Sequence, residues 1–171
     1  MDIVSVIIPT YGGGEYIIRA IKSVLLQDYT SVEIIIVDDN GKGTANQIIT
    51  QERLQPFLDD LRLHYIVHNK NKNGAVARNT GFKVSKGKYI AFLDDDDTFL
   101  PRKLSLQVGQ LESLDESWGM SYCSHNTYRN GKYFETVIVK KSGNILYEIL
   151  KHEVTVGSSS LLVRRSIYEN I

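Results

Sequence analysis

The stretch Tyr89-Ile90-Ala91-Phe92-Leu93-Asp94-Asp95-Asp96-Asp97 decides how the rest of the chain reads. Its apolar half predicts a short buried strand, and four carboxylates follow where that strand must end. Acids packed at the rim of a core repel one another, and desolvation raises the cost. A divalent cation would relieve it, since hard ions such as Mn²⁺ or Mg²⁺ take oxygen ligands. If extended geometry persists, Asp94 and Asp96 point to one side and Asp95 and Asp97 to the other, leaving an Asp-x-Asp pair for one metal. The alternative is a solvated acidic turn, with Asp97 or a neighbour capping a helix that starts near Pro101.

Working outward, Ile3 to Ile8 and Val32 to Val37 are continuous apolar runs, the mark of strands covered on both faces. Helical spacing follows each: Glu15 to Gln27 after the first, and Asn46 to Leu61, interrupted near Pro56, after the second. Leu63 to His68 reads as a third strand and Ala75 to Val84 as a third helix, ahead of the Tyr89 strand. This alternation predicts an α/β fold with a mostly parallel, Rossmann-like sheet flanked by helices. Beyond a helix over Lys103 to Leu114 the pattern changes. Trp118 to Tyr128 and Tyr133 to Lys140 read as strands joined by a hairpin at Asn130-Gly131, the onset of a small antiparallel part. Asn144 to Lys151 reads as a short helix and Ser158 to Val163 as a last strand. Ser166 to Ile171 reads as the start of a further element, so the chain is expected to belong to a larger protein.

The 171 residues suit a single domain with a real core. Twenty basic and twenty acidic side chains leave no net charge, which argues against a nucleic-acid partner. A lone Cys123, expected to be buried among apolar groups, rules out an internal disulfide and suits a reducing compartment. No apolar run is long enough for a membrane span, and the chain opens without signal-peptide character. A soluble cytoplasmic domain is the expectation.

In open parallel sheets ligands bind beyond the carboxyl ends of the strands. Three polar clusters fall at such ends, Thr10-Tyr11-Gly12, Asp38-Asp39-Asn40 and Asp94 to Asp97, and the fold would bring them to one rim. Gly12-Gly13-Gly14 lacks the G-x-G-x-x-G pattern and reads as a flexible turn rather than a phosphate cradle. Tyr11 can stack on a nucleobase, Asp39 can accept a hydrogen bond from a base or ribose, and Asp38 can cap the loop that follows. Arg78 can pair with a diphosphate or with the acidic cluster. The four histidines show no metal-ligand spacing, and none is assigned to a site. Ser158-Ser159-Ser160 lacks the frame of a serine nucleophile.

Taken in order, Val4 to Tyr11, Val37-Asp38-Asp39, Asn73-Gly74 through Arg78-Asn79 to Gly81, and Phe92 to Asp97 with Pro101 resemble the inverting family 2 glycosyltransferases over the first 110 residues or so. The resemblance implies a GT-A fold, with residues 1–114 as the donor-binding half and residues 115–171 as an incomplete acceptor-side half. It implies a nucleotide-sugar donor, most commonly a UDP-sugar, a glycan, lipid-linked or protein acceptor, and Mn²⁺ or Mg²⁺. A lipid-linked acceptor would bring peripheral association with the inner face of a membrane. By the same resemblance Pro9, Thr10, Tyr11 and Asp39 hold the nucleoside, Arg78 is a donor-side contact, and Asp95 lies beside ribose or sugar. Asp96, with Asp94, is the metal ligand and the catalytic acid-cluster residue. The family's general base lies in a Glu-Asp segment further along than this sequence runs; Glu153 and Glu169 do not match it. A non-catalytic nucleotide-sugar or cation-binding module and a nucleotidyltransferase remain as alternatives.

Overall fold

The computed structural model describes residues 1–151, 153–154 and 156–168. Four parallel strands form its centre: β1 (Val4–Thr10), β2 (Val32–Asp38), β3 (Leu63–Val67) and β4 (Tyr89–Phe92). Every residue of β2 is buried, and in β1 all but Pro9, as continuous apolar runs require when both faces of a sheet are covered. Alternate side chains feed two cores. Val4, Val6, Ile8, Ile34 and Ile36 meet α1 (Ile17–Leu25) and α4 (Lys103–Glu112). Ile7, Ile35, Val37, Ile90 and Phe92 meet the helix on the opposite face, α3 (Gly74–Val84), through Ala77.

Between β2 and β3 lies α2 (Ala45–Leu54), capped by the Thr44 side chain on the Gln47 N–H. It ends sooner than its spacing predicts, because the chain tightens into a 3₁₀ turn, Gln55–Phe57, at Pro56. At its other end, α1 starts later than expected. Gly12, Gly13 and Gly14 all hold positive φ (82°, 89° and 58°), which keeps the segment out of the helix and bears out a glycine turn.

Residues after 114 add to the same sheet. β5 (Met120–Tyr122) and β8 (Leu161–Arg164) extend it in the order β3-β2-β1-β4-β8-β5, with β8 antiparallel to both neighbours. The expected strand over Trp118 to Tyr128 is in fact two: β5 ends at Tyr122, and β6 (His125–Arg129) leaves to pair with β7 (Lys132–Val137). The hairpin turns at Asn130-Gly131, both at positive φ, as its sequence predicts. α5 (Leu146–Leu150) follows. Ser158–Ser160 forms a 3₁₀ turn rather than the beginning of the last strand. α6 (Arg165–Tyr168) opens the segment expected to start a new element, of which Glu169, Asn170 and Ile171 lie outside the described residues.

Strand order fixes where a ligand can sit. The chain steps from β1 to β2 and β3 on one side, then returns to place β4 on the other side of β1. The crevice above the carboxyl ends of β1 and β4 is therefore the topological switch point of the sheet. Among the described residues, no helix is long and apolar enough to cross a membrane.

Candidate functional site

A cleft of about 410 Å³ opens at that switch point, lined by Pro9, Thr10, Tyr11, Asp39, Asn71, Asn73, Gly74, Arg78, Asp94, Asp95 and Asp96. All eight residues selected from the sequence line it. Register explains the convergence. Thr10 is level with Asp38 at the ends of β1 and β2, while β4 stops three positions lower, where Phe92 pairs with Ile7. The acidic segment therefore rises past the end of β4 to the level of Thr10, whose hydroxyl donates to Asp95 Oδ2 at 2.5 Å.

Extended geometry does not persist into the acids. β4 ends at Phe92, and the Asp97 N–H donates to the Asp94 carbonyl at 3.0 Å to close a turn. Asp94, Asp95 and Asp96 thus border one cleft instead of alternating across a strand. Asp97 does not cap the next helix either, since α4 begins at Lys103 without a side-chain cap. Asp94 is ion-paired with Arg78 Nη2 and accepts from the Ser158 hydroxyl at 2.8 Å, while its N–H donates to Ser159 Oγ at 3.0 Å. Burial pushes the Asp95 carboxyl up from its usual range, the Thr10 hydroxyl draws it back, and the charge of Asp96 adds to the rise. Asp96 is exposed. Its carbonyl accepts from Arg19 Nη2 at 2.6 Å, and its carboxylate makes no hydrogen bond or ion pair among the described residues. No group of three His, Cys, Asp or Glu side chains is placed to hold a metal ion among the described residues.

The opposite wall is built on β2 and the loop before α3. Asp38 Oδ1 accepts from the Asn40 backbone and amide at 2.9 and 2.8 Å, and Oδ2 accepts from the Tyr65 hydroxyl at 2.6 Å. Asp38 therefore shapes the loop from inside. Asn40 Oδ1 in turn accepts from the Gly12 N–H at 2.7 Å, so the glycine turn spends that donor within the protein. Asp39 is 3% exposed; its oxygens accept from the Lys72 N–H at 2.8 and 3.1 Å, and Oδ1 lies 2.6 Å from His68 Nδ1. Asn73 caps α3 by accepting from the Ala75 and Val76 N–H groups, which sets the helix N-terminus and Arg78 on the cleft wall. Arg78 Nε is buried without a partner among the described residues.

Sequence reasoning missed several of these groups. His68 carried no ligand spacing, yet it directly follows β3 beside Asp39, and its place at a strand's carboxyl end was the usable signal. Ser158 and Ser159 failed as nucleophile candidates and serve instead as hydrogen-bonding partners of Asp94. Nothing local in the sequence joins them to a segment more than sixty residues earlier. Cys123 is half-buried, not fully buried, with Sγ 3.6 Å from the Ser160 carbonyl.

Residues 5–171 match the sequence profile described as Glycosyl transferase family 2. The chain is 37% identical over 175 residues to an uncharacterized glycosyltransferase of Rickettsia conorii, a match covering 98% of this chain and 28% of that protein. It is 32% identical over its whole length to the Escherichia coli UDP-Glc:alpha-D-GlcNAc-diphosphoundecaprenol beta-1,3-glucosyltransferase WfaP, covering 64% of it. In structure it is similar to residues 1–349 of S. aureus TarS bound to UDP-GlcNAc, with a TM-score of 0.74 at 19% identity, over 99% of this chain and 47% of that one. The chain thus spans about a quarter to two thirds of the length of these curated relatives.

Proposed function

The chain belongs to glycosyl transferase family 2, and from that premise we propose that its cleft takes a nucleotide-sugar donor, a UDP-sugar first among them. The sugar passes to an acceptor hydroxyl with inversion, assisted by a divalent cation. One observation carries the reading: three strand ends and the N-terminus of α3 converge on a single cleft at the switch point of the sheet. The family match displaces the nucleotidyltransferase alternative. UDP-Glc in the name of the Escherichia coli relative and UDP-GlcNAc in the TarS structure support uridine as the first base to test.

Pro9, Thr10 and Tyr11 with Asp39 hold the nucleoside, Tyr11 offering an exposed ring for stacking and Asp39 a hydrogen-bond acceptor. The start of α3 and the Arg78 guanidinium form the electropositive wall that a diphosphate needs. Asp95, half-buried and fixed by Thr10, sits where ribose or sugar hydroxyls would meet an acceptor group.

The donor set fits a hard cation. Asp96 presents a carboxylate not committed to any partner among the described residues, beside Asp94, and such ions complete their shell with one or two carboxylates plus substrate phosphates. Asp96 would be the principal ligand, with Asp94 shared between it and Arg78. When bound, the cation neutralises charge on the departing diphosphate. Inversion also requires a carboxylate to take the proton of the attacking hydroxyl. Glu153 is exposed and does not line the cleft, and Glu169 lies outside the described residues. The base is therefore not assigned. For the acceptor, the diphosphoundecaprenol in the name of the Escherichia coli relative favours a lipid-linked glycan, which would bring the protein to a membrane surface.

Calorimetric titration of UDP, dTDP and GDP, each with Mn²⁺ and with chelator, tests the proposal. The expected outcome is metal-dependent binding of one nucleotide, weakened at least tenfold in Asp96→Ala with the melting temperature unchanged. Equal binding with chelator, or in the variant, would refute the cation assignment. No binding of any nucleotide would refute the donor site.

A further inference from the structure

His68 is 5% exposed, closed off from the cleft behind Asp39, and each of its ring nitrogens has a partner. Nδ1 is 2.6 Å from Asp39 Oδ1, and Nε2 is 2.9 Å from the Thr80 hydroxyl on α3. A carboxylate offers only acceptors, so the proton of this contact sits on Nδ1. The backbone of the residue is fixed as well: the His68 N–H donates to the Asp38 carbonyl at 2.9 Å, and the His68 carbonyl accepts from the Lys42 N–H at 2.9 Å.

The two oxygens of Asp39 are not equivalent. Oδ1 carries both the His68 contact and the shorter bond from the Lys72 N–H, whereas Oδ2 receives only the longer bond, at 3.1 Å. Oδ2 therefore keeps most of the acceptor capacity that the carboxylate has left. The plane of the carboxylate turns about χ2, and a short contact from a ring wedged against α3 fixes that torsion.

We infer that His68 is a positioning residue for donor recognition: with Thr80 behind it, it locks Asp39 so that Oδ2 alone meets the nucleobase edge and selects a base presenting a ring N–H. The inference rests on the reading that Asp39 faces the base. Uracil offers such a donor at N3. A base with a ring acceptor there would meet the carboxylate lone pairs and be rejected. His68 touches no ligand itself and acts only through the geometry of Asp39.

Binding of UDP and of N3-methyl-UDP, which lacks the donor, tests this on the wild-type chain and on Asp39→Asn, His68→Phe and His68→Asn. Wild type is expected to prefer UDP by about 10- to 100-fold, the range for a hydrogen bond to a charged group. Asp39→Asn should erase most of that preference. His68→Phe should erase it too, by weakening UDP while leaving N3-methyl-UDP nearly unchanged. His68→Asn places an N–H close to the Nδ1 position and should restore it. A merely structural role would weaken both ligands alike in His68→Phe, and that result, or an unchanged preference, overturns the inference while leaving Asp39 in place. If Asp39→Asn itself keeps the preference, or wild type binds no UDP, the underlying reading fails and the inference with it.

Discussion

Lys103 sits in the first turn of α4 with its ammonium 4.1 Å from the centre of the Phe99 ring and 2.6 Å from Gln107 Oε1. Only 9% of the residue is exposed, and no carboxylate pairs with it among the described residues. Burial pushes its pKa down to about 8, from an ordinary value near 10.5. One hydrogen bond and one aromatic face do not replace the hydration of a full charge. Between about pH 8 and 10.5 the unfolded chain holds a proton that the folded chain has released, so stability rises with pH across that window. Below pH 8 both states are protonated and the penalty, about 3 kcal/mol at most, is fully present. Lys103→Met, similar in volume and uncharged, is expected to be about 1–3 kcal/mol more stable than wild type at pH 7. Urea denaturation of both proteins at pH 7 and pH 10 would show the gap closing at the higher pH. A variant less stable at pH 7 would mean that the amine's contacts outweigh its desolvation.

The contact between α3 and β1 depends on a missing side chain. A Cβ on Gly81 would lie 2.5 Å from Ile7 Cγ2, well inside van der Waals contact, in a core where Ile7 is wholly buried. Gly81→Ala gains about 1 kcal/mol in helix propensity. Overpacking costs about 1–3 kcal/mol, and with a neighbour this close the upper part of that range applies, so the variant should be destabilised by up to about 2 kcal/mol. Ile7→Val removes a δ-methyl and allows the residue to shift, so the double variant should recover part of that loss, and a thermal-melting cycle over the four proteins would measure the coupling. Loss that is additive would place the strain elsewhere. Elements of this kind were legible where one pattern dominated: the double-faced runs of β1 and β2, the glycine turn and the Asn130-Gly131 hairpin all stand where the sequence puts them. Legibility failed where tertiary context decides. Residues 118–128 have uniform strand character, so nothing local marks the exit between Tyr122 and His125 that sends β5 and β6 to different sheets. For Asp94 to Asp97 the sequence leaves strand continuation and an acidic turn both open, and the bond from the Asp97 N–H to the Asp94 carbonyl that decides for a turn is invisible to periodicity. The cleft itself was readable because the topology rule names strand ends. Its supports, His68 and the Ser158–Ser159 pair, were not, because they act through partners distant in sequence.

At the scale of the molecule, stability is graded away from the cleft's foundation. β2 is buried throughout and β1 at every residue but Pro9, and Arg164, 4% exposed, ties β8 to α4 by donating to the Leu111 carbonyl at 2.6 Å and to the Trp118 carbonyl at 3.0 Å. The β6–β7 hairpin has no such backing. Among the described residues its two strands pair only with each other, and its residues are exposed except Thr127 and Val137, which are half-buried. Its side-chain ties are the Tyr128–Tyr133 edge contact at 6.0 Å, Arg129 over the Phe134 ring at 3.7 Å and the Thr136 hydroxyl donating to Asn126 Oδ1 at 2.7 Å. Such contacts are worth about 0.5–1.5 kcal/mol each, and a two-stranded ribbon is marginal on its own. Hydrogen exchange should therefore separate the two regions. Amides of β1, β2 and β4 are expected to exchange only on global unfolding, those of β6 and β7 through local opening, at rates on the order of 10²-fold faster or more once corrected for sequence. The contrast is between the buried strands under the cleft and an exposed, loosely held hairpin. Equal protection in hairpin and core would contradict that division, and protection of the hairpin that rose with protein concentration would show it covered by a second copy.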